Sequence, residues 1–120
     1  VGQLDIQQDV LDGAVVVSAV GEVDSGNAGE LSAHLDAARG AAAKSKRRLL
    51  VIALDHLKYF GSAGLNAVLD CHERGGVEGV TVRIAAGNAE VLRPIEVTKL
   101  DEVLDLYDTV HAATHDDGRP

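Results

Sequence analysis

Polar and apolar positions alternate over Leu4-Asp5-Ile6-Gln7, which predicts a short strand. Asp12-Gly13 is a hairpin turn signal, and the β-branched run at residues 14–20 (AVVVSAV) supplies the returning strand. After Gly21, the residues Ala28, Leu31, Leu35, Ala38 and Ala42 recur at helical spacing. Asp24 or Ser25 is the expected N-cap of that helix, and residues 44–48 (KSKRR) close it with cations suited to the negative end of the macrodipole. Residues 49–54 (LLVIAL) are continuously apolar, as in a strand covered on both faces of a parallel sheet. Residues 55–60 are expected as a loop. A helical face resumes from Ser62 with Leu65, Val68, Leu69 and His72, and Gly75-Gly76 is expected to stop it. Residues 80–85 (VTVRIA) read as a strand, and residues 88–95 as a helix that Pro94 keeps short. Residues 103–107 form an edge strand or a helical turn, residues 108–113 a helix, and residues 115–120 a frayed tail.

The predicted order is β-β-α-β-α-β-α-(β)-α. Strands alternating with helices make this an α/β chain. The expected architecture is a mixed β-sheet of four to five strands with helices packed mainly on one face. Right-handed crossovers would lay successive helices on the sheet. Residues 1–114 are expected to form a single domain, with 115–120 outside it.

Composition narrows the partners. Tyr59, Phe60 and Tyr107 are the only aromatics, so the stacking platforms of single-strand nucleic-acid binders are missing. The net charge of −8 repels phosphate backbones and points away from nucleic acid. A single cysteine, Cys71, allows no internal disulfide and fits the cytoplasm. It falls on the flank of the second helix, neither clearly core nor clearly exposed. No apolar run approaches the about 20 residues of a membrane helix. His111 and His115 have metal-like i, i+4 spacing, but no cysteine cluster joins them and they read as a surface pair. No metal and no cofactor is expected, and the oligomeric state is expected to be a monomer or weak dimer.

The strongest candidate chemistry lies at Phe60-Gly61-Ser62-Ala63-Gly64. An apolar strand followed by small residues delivers Ser62 to a helix start, where N–H groups and the macrodipole favour negative charge. Ser62 therefore offers a phosphate acceptor, although local physics alone favours the N-cap reading; the two roles are compatible. It does not read as a nucleophile. The first glycine of Gly-x-Ser-x-Gly is missing, and no acid and then histidine follow in the order a hydrolase needs. Asp24 ends an earlier strand, and strand ends at one edge of a sheet meet in space, so Asp24 is expected beside Ser62.

These segments resemble the anti-sigma factor antagonists of the STAS domain family. Gly21-Glu22-Val23-Asp24 is similar to the family's Gly-Glu-hydrophobic-Asp. Residues 50–55 with Leu57 and Phe60 resemble the strand and loop before its phosphorylation motif. Gly61-Ser62-Ala63-Gly64-Leu65 resembles Asp-Ser-Ser/Thr-Gly-Leu, with Gly61 in place of the Asp and Ala63 in place of the second hydroxyl residue. The resemblance implies a non-enzymatic binding module whose unphosphorylated form sequesters an anti-sigma factor, itself a serine-protein kinase. Phosphorylation at Ser62 would switch it off. Asp24, Ser25, Gly61, Ser62, Ala63 and Gly64 would face that partner. The runner-up that the resemblance also accommodates is a non-phosphorylated scaffold module in a sensor or transporter-associated assembly.

Overall fold

In the computed structural model, residues 3–116 are described. Among them, strands β1 (Leu4–Leu11), β2 (Ala14–Val23), β3 (Leu49–Phe60), β4 (Thr81–Ala85) and β5 (Leu106–Tyr107) form one sheet in the order β1-β2-β3-β4-β5. β1 and β2 pair antiparallel through the Asp12-Gly13 turn; the other neighbours pair parallel. Both turn residues take positive φ, 50° and 80°, as a tight primed turn requires. Helices α1 (Ala28–Ala43), α2 (Ser62–Glu78), α3 (Ala89–Val97) and α4 (Val110–His115) provide the crossovers and the final cover. The mixed sheet and the element order expected from the hydrophobic pattern are those observed.

Strand alternation divides the core. Val15, Val17, Leu50, Ile52, Leu54, Val82 and Ile84 point to the face covered by α1, α2 and α3. Val16, Val51, Ala53 and Ala85 point to the other, where α4 contributes Ala113. Leu50, Val51, Ile52 and Leu54 are fully buried, so β3 is the hydrophobic axis of the domain. The cationic run after α1 has a structural use. Arg48 donates to the carbonyls of Ala43 (2.8 Å), Glu78 (2.8 Å) and Gly79 (2.9 Å). One guanidinium thus satisfies C-terminal carbonyls of both α1 and α2.

Several boundaries differ from the sequence reading. β3 continues through residues 55–60, expected as a loop. It is longer than β2 requires: the pairings run Ser18↔Ala53, Val20↔His56, Gly21↔Leu57 and Glu22↔Tyr59, so β3 bulges twice. Each bulge changes which way the next side chain points. Leu54, Leu57 and Phe60 are therefore all buried at a spacing of three that hides the strand. α2 runs through Gly75 and Gly76 and ends at Gly79 in the left-handed conformation (φ 75°). Gly75 is an interior packing glycine, since a Cβ there would lie 2.7 Å from Val82 Cγ2 and 2.8 Å from Val80 O. His115 closes α4, and Asp116 accepts a hydrogen bond from the Tyr107 hydroxyl at 2.5 Å; the rest of the expected tail lies outside the described residues.

Candidate functional site

The site is assembled where β2 and β3 end together. Val23 pairs with Phe60, and the Gly61 N–H donates to the Val23 carbonyl at 3.0 Å. The chain that follows each strand therefore leaves the same edge of the sheet side by side. Gly64, one turn into α2, seals the junction: a Cβ there would lie 2.7 Å from Val23 Cγ1 and 3.0 Å from Phe60 Cε1. Only hydrogen lets the helix pack this closely on the strand end.

The helix cap is Gly61, not Ser62. Gly61 is extended (φ −80°, ψ 175°) and its carbonyl accepts the first helical bond from Leu65 N–H at 3.0 Å. Ser62 is the first helical residue and is exposed. Its hydroxyl makes no hydrogen bond among the described residues, so it is not consumed by capping. By helix geometry the N–H groups of Ser62, Ala63 and Gly64 have no intrahelical acceptor. No acidic residue stands in the first turn of α2 to compete for them. A histidine or carboxylate hydrogen-bonded to Ser62, needed to activate a serine nucleophile, is not present among the described residues.

Asp24 and Ser25 were expected as caps of α1; the cap is Asn27. Asp24 shapes the turn before it. Its Oδ1 accepts from the N–H groups of Gly26 (2.8 Å) and Asn27 (3.2 Å), while its own N–H donates to Asn27 Oδ1 (2.9 Å). Asn27 Nδ2 in turn donates to the Glu22 carbonyl at 2.9 Å. Asp24 is half-buried and Ser25 exposed, on a loop that this network holds firmly at the strand edge.

The structure adds a neighbour that no motif announced. Tyr59 lies over Gly61, its Cε2 and hydroxyl 3.0 Å from where a Cβ would stand. Behind it is an open groove of about 310 Å³ between the end of β3 and α3, lined by Lys58, Tyr59, Phe60, Arg93, Pro94 and Val97. Asn88, just before α3, anchors that wall by donating to the carbonyls of Leu54 (3.3 Å) and Leu57 (2.9 Å). Those carbonyls lie beyond Ala53, the last β3 residue paired with β4. The sequence signal was the adjacency of two of only three aromatics, Tyr59 and Phe60.

Other candidates resolve as structure. Cys71 is in the core rather than on a flank, and burial pushes its thiol pKa up despite the neighbouring Arg39 guanidinium. Arg39 is itself buried; its Nε donates to Glu78 at 2.6 Å, and its Nη1 is ion-paired with Asp36 at 3.0 Å. Burial works against its charge, but the neighbouring Glu78, Cys71 and Asp36 more than offset this and raise its pKa. His111 and His115 stack at 4.0 Å, and His115 Nε2 lies 3.1 Å from Asp12. No cluster of three metal-ligating side chains occurs among the described residues, and none of their helices is long and apolar enough to cross a membrane.

A model of the STAS domain family matches residues 5–113. The chain belongs to the STAS domain family. Solved structures agree. An anti-sigma factor antagonist from Mycobacterium paratuberculosis is 30% identical, with a TM-score of 0.83 over 92% of this chain and 91% of that one. The anti-sigma factor antagonist SpoIIAA in its unphosphorylated form is 16% identical, with a TM-score of 0.69 over 90% and 92%. The Bacillus SpoIIAA in its phosphorylated form is also 16% identical, with a TM-score of 0.66 over 90% and 96%. At 16% identity these last two show a shared fold. In this STAS domain the shared fold sets the edge on which Ser62 stands, and its own residues set what surrounds it. Gly61 leaves room for Tyr59, and Ala63 adds no second hydroxyl.

Proposed function

We propose that this STAS domain is an anti-sigma factor antagonist that acts by binding and has no catalytic step of its own. In its unphosphorylated form it engages an anti-sigma factor that is also a serine kinase. Phosphorylation of Ser62 by that partner releases it. The observation that carries this reading is an exposed Ser62 at the first position of α2 with its hydroxyl unused. Similarity to an antagonist at 30% identity supports the partner class. Likeness to SpoIIAA structures with and without phosphate supports a fold that tolerates the modification.

A phosphate on Ser62 brings about −1.5 to −2 charges and three acceptor oxygens. The unpaired N–H groups and positive dipole end of α2 accommodate it without unfolding the helix. The interface loses instead. A surface complementary to a neutral hydroxyl must desolvate the phosphate or exclude it, and each 1.4 kcal/mol of that penalty weakens binding about tenfold. Asp24 and Ser25 on the adjoining loop complete the partner-facing edge.

The test is incubation with the organism's anti-sigma factor kinases and ATP, site mapping by mass spectrometry, and titration of binding. Phosphate is expected on Ser62, with Ser62→Ala binding constitutively and Ser62→Glu binding weakly. Phosphate on another residue, or undiminished binding by the Ser62-phosphorylated protein, overturns the switch.

A further inference from the structure

The groove beside the Ser62 edge combines an apolar lining with a basic rim. Its floor and walls are apolar, and two of its residues are large and exposed: Tyr59 at 54% and Val97 at 76%. Apolar residues gathered around a concave groove give an incoming side chain a place to bury. Pro94 sits inside α3, adding a rigid apolar contact to the same wall. The rim reverses the local charge of the chain. Overall the protein carries −8, yet Lys58 and Arg93 flank the groove, with Glu90 the only acid among the described lining residues. The groove is also joined to the start of α2, because Tyr59 forms its wall and at the same time lies against Gly61, next to Ser62.

We propose that this groove is the second half of the partner interface: it takes an apolar side chain flanked by a carboxylate, presented by the same protein that engages Ser62. The proposal rests on the antagonist reading above. Tyr59, Phe60, Pro94 and Val97 receive the apolar group, and Lys58 and Arg93 pair with the acid. Charge pairs at such a rim give specificity and speed of encounter more than bulk affinity. The arrangement also explains why a phosphate on Ser62 is felt strongly. An acidic segment docked beside Tyr59 lies close to the start of α2, within the about 8–10 Å over which charges act at physiological salt. The phosphate repels the very segment that the groove selects.

The test places the photo-cross-linker p-benzoylphenylalanine at Val97, in the groove, and separately at Asn66, an exposed residue one helical turn beyond Ser62. Each protein is irradiated in lysate of the source organism, and the linked peptide is sequenced by mass spectrometry. Both positions are expected to trap the same protein. The segment linked at Val97 is expected to carry Asp or Glu next to an apolar residue. Arg93→Glu is expected to lower the yield at Val97 about tenfold or more, with an unchanged thermal melt because Arg93 is exposed. Cross-linking at Asn66 but not at Val97, different proteins at the two positions, or a linked segment without an acid overturns the groove and leaves the Ser62 reading standing. Cross-linking at Val97 alone removes the Ser62 reading, and the shared interface with it. No cross-link at either position defeats both.

Discussion

Asp24 holds the turn before α1, and under the proposed function it also carries charge to the partner. Its Oδ1 accepts from two N–H groups of the loop, a geometry that an amide oxygen reproduces. Asp24→Asn therefore keeps the turn while deleting the charge. We expect a stability change below about 1 kcal/mol in urea titration, with clearly weaker binding and slower phosphorylation by the kinase partner. Unchanged affinity and rate would reduce Asp24 to a turn former. At Ser62 the two readings open in the sequence separate in the structure. Capping is done by the extended Gly61 backbone, so the hydroxyl is left to solvent. No local rule distinguishes the residue that caps from the one after it, because Gly and Ser both serve at that position.

β3 carries most of the packing. Ile52 is fully buried and pairs with Val17 on one side and Ile84 on the other. Neighbours on both sides leave little room for collapse around a deletion. Ile52→Ala is expected to destabilise the domain by about 2–5 kcal/mol, measured by chemical denaturation; a variant as stable as the parent would contradict the central placement. The first half of this strand was plain in its apolar run. The second half was hidden, because two bulges replace the period of two with a spacing of three. α2 was likewise longer than its sequence suggested. Gly75 punctuates a helix in most settings, but here it lets α2 approach Val82 and the Val80 carbonyl. Such a close approach is a property of the packed pair, not of the helix.

On the scale of the whole molecule, α4 is held over the second face of the sheet by a buried cation. Arg83 donates through Nη1 to the carbonyls of Ala113 (2.8 Å) and Asp116 (2.6 Å) and lies 5.3 Å from the centre of the Tyr107 ring. Burial and the bond to Asp116 push the Tyr107 pKa up from 10 to about 12, against the opposing pull of Arg83. A raised tyrosine pKa means that the folded state holds the proton more tightly than the unfolded chain. That stabilisation is complete below pH 10 and is lost as pH rises from 10 to about 12. Tyr107→Phe is expected to be less stable than the parent below pH 10, with the gap narrowing across that window. Parallel pH series of urea melts for the two proteins give the comparison, and a constant gap would show that the hydroxyl is not linked to folding.

The sequence by itself determined the order of elements, the mixed α/β sheet, the buried centre of β3 and the short stretch in which Ser62 stands. These follow from local information: periodicity, turn residues and an uninterrupted apolar run. Only the tertiary structure decided which backbone caps α2, that Asp24 braces a loop, that Cys71 is core and that Arg48 joins two helix ends. It also decided that Tyr59 covers Gly61 and walls a groove with residues of α3 more than thirty positions away. Each of these depends on what a bulged parallel pairing brings alongside, and parallel pairing joins residues far apart in the chain. Their identity is written in the sequence, but their neighbours are set by the register of β2 on β3 and by the helices that close over it.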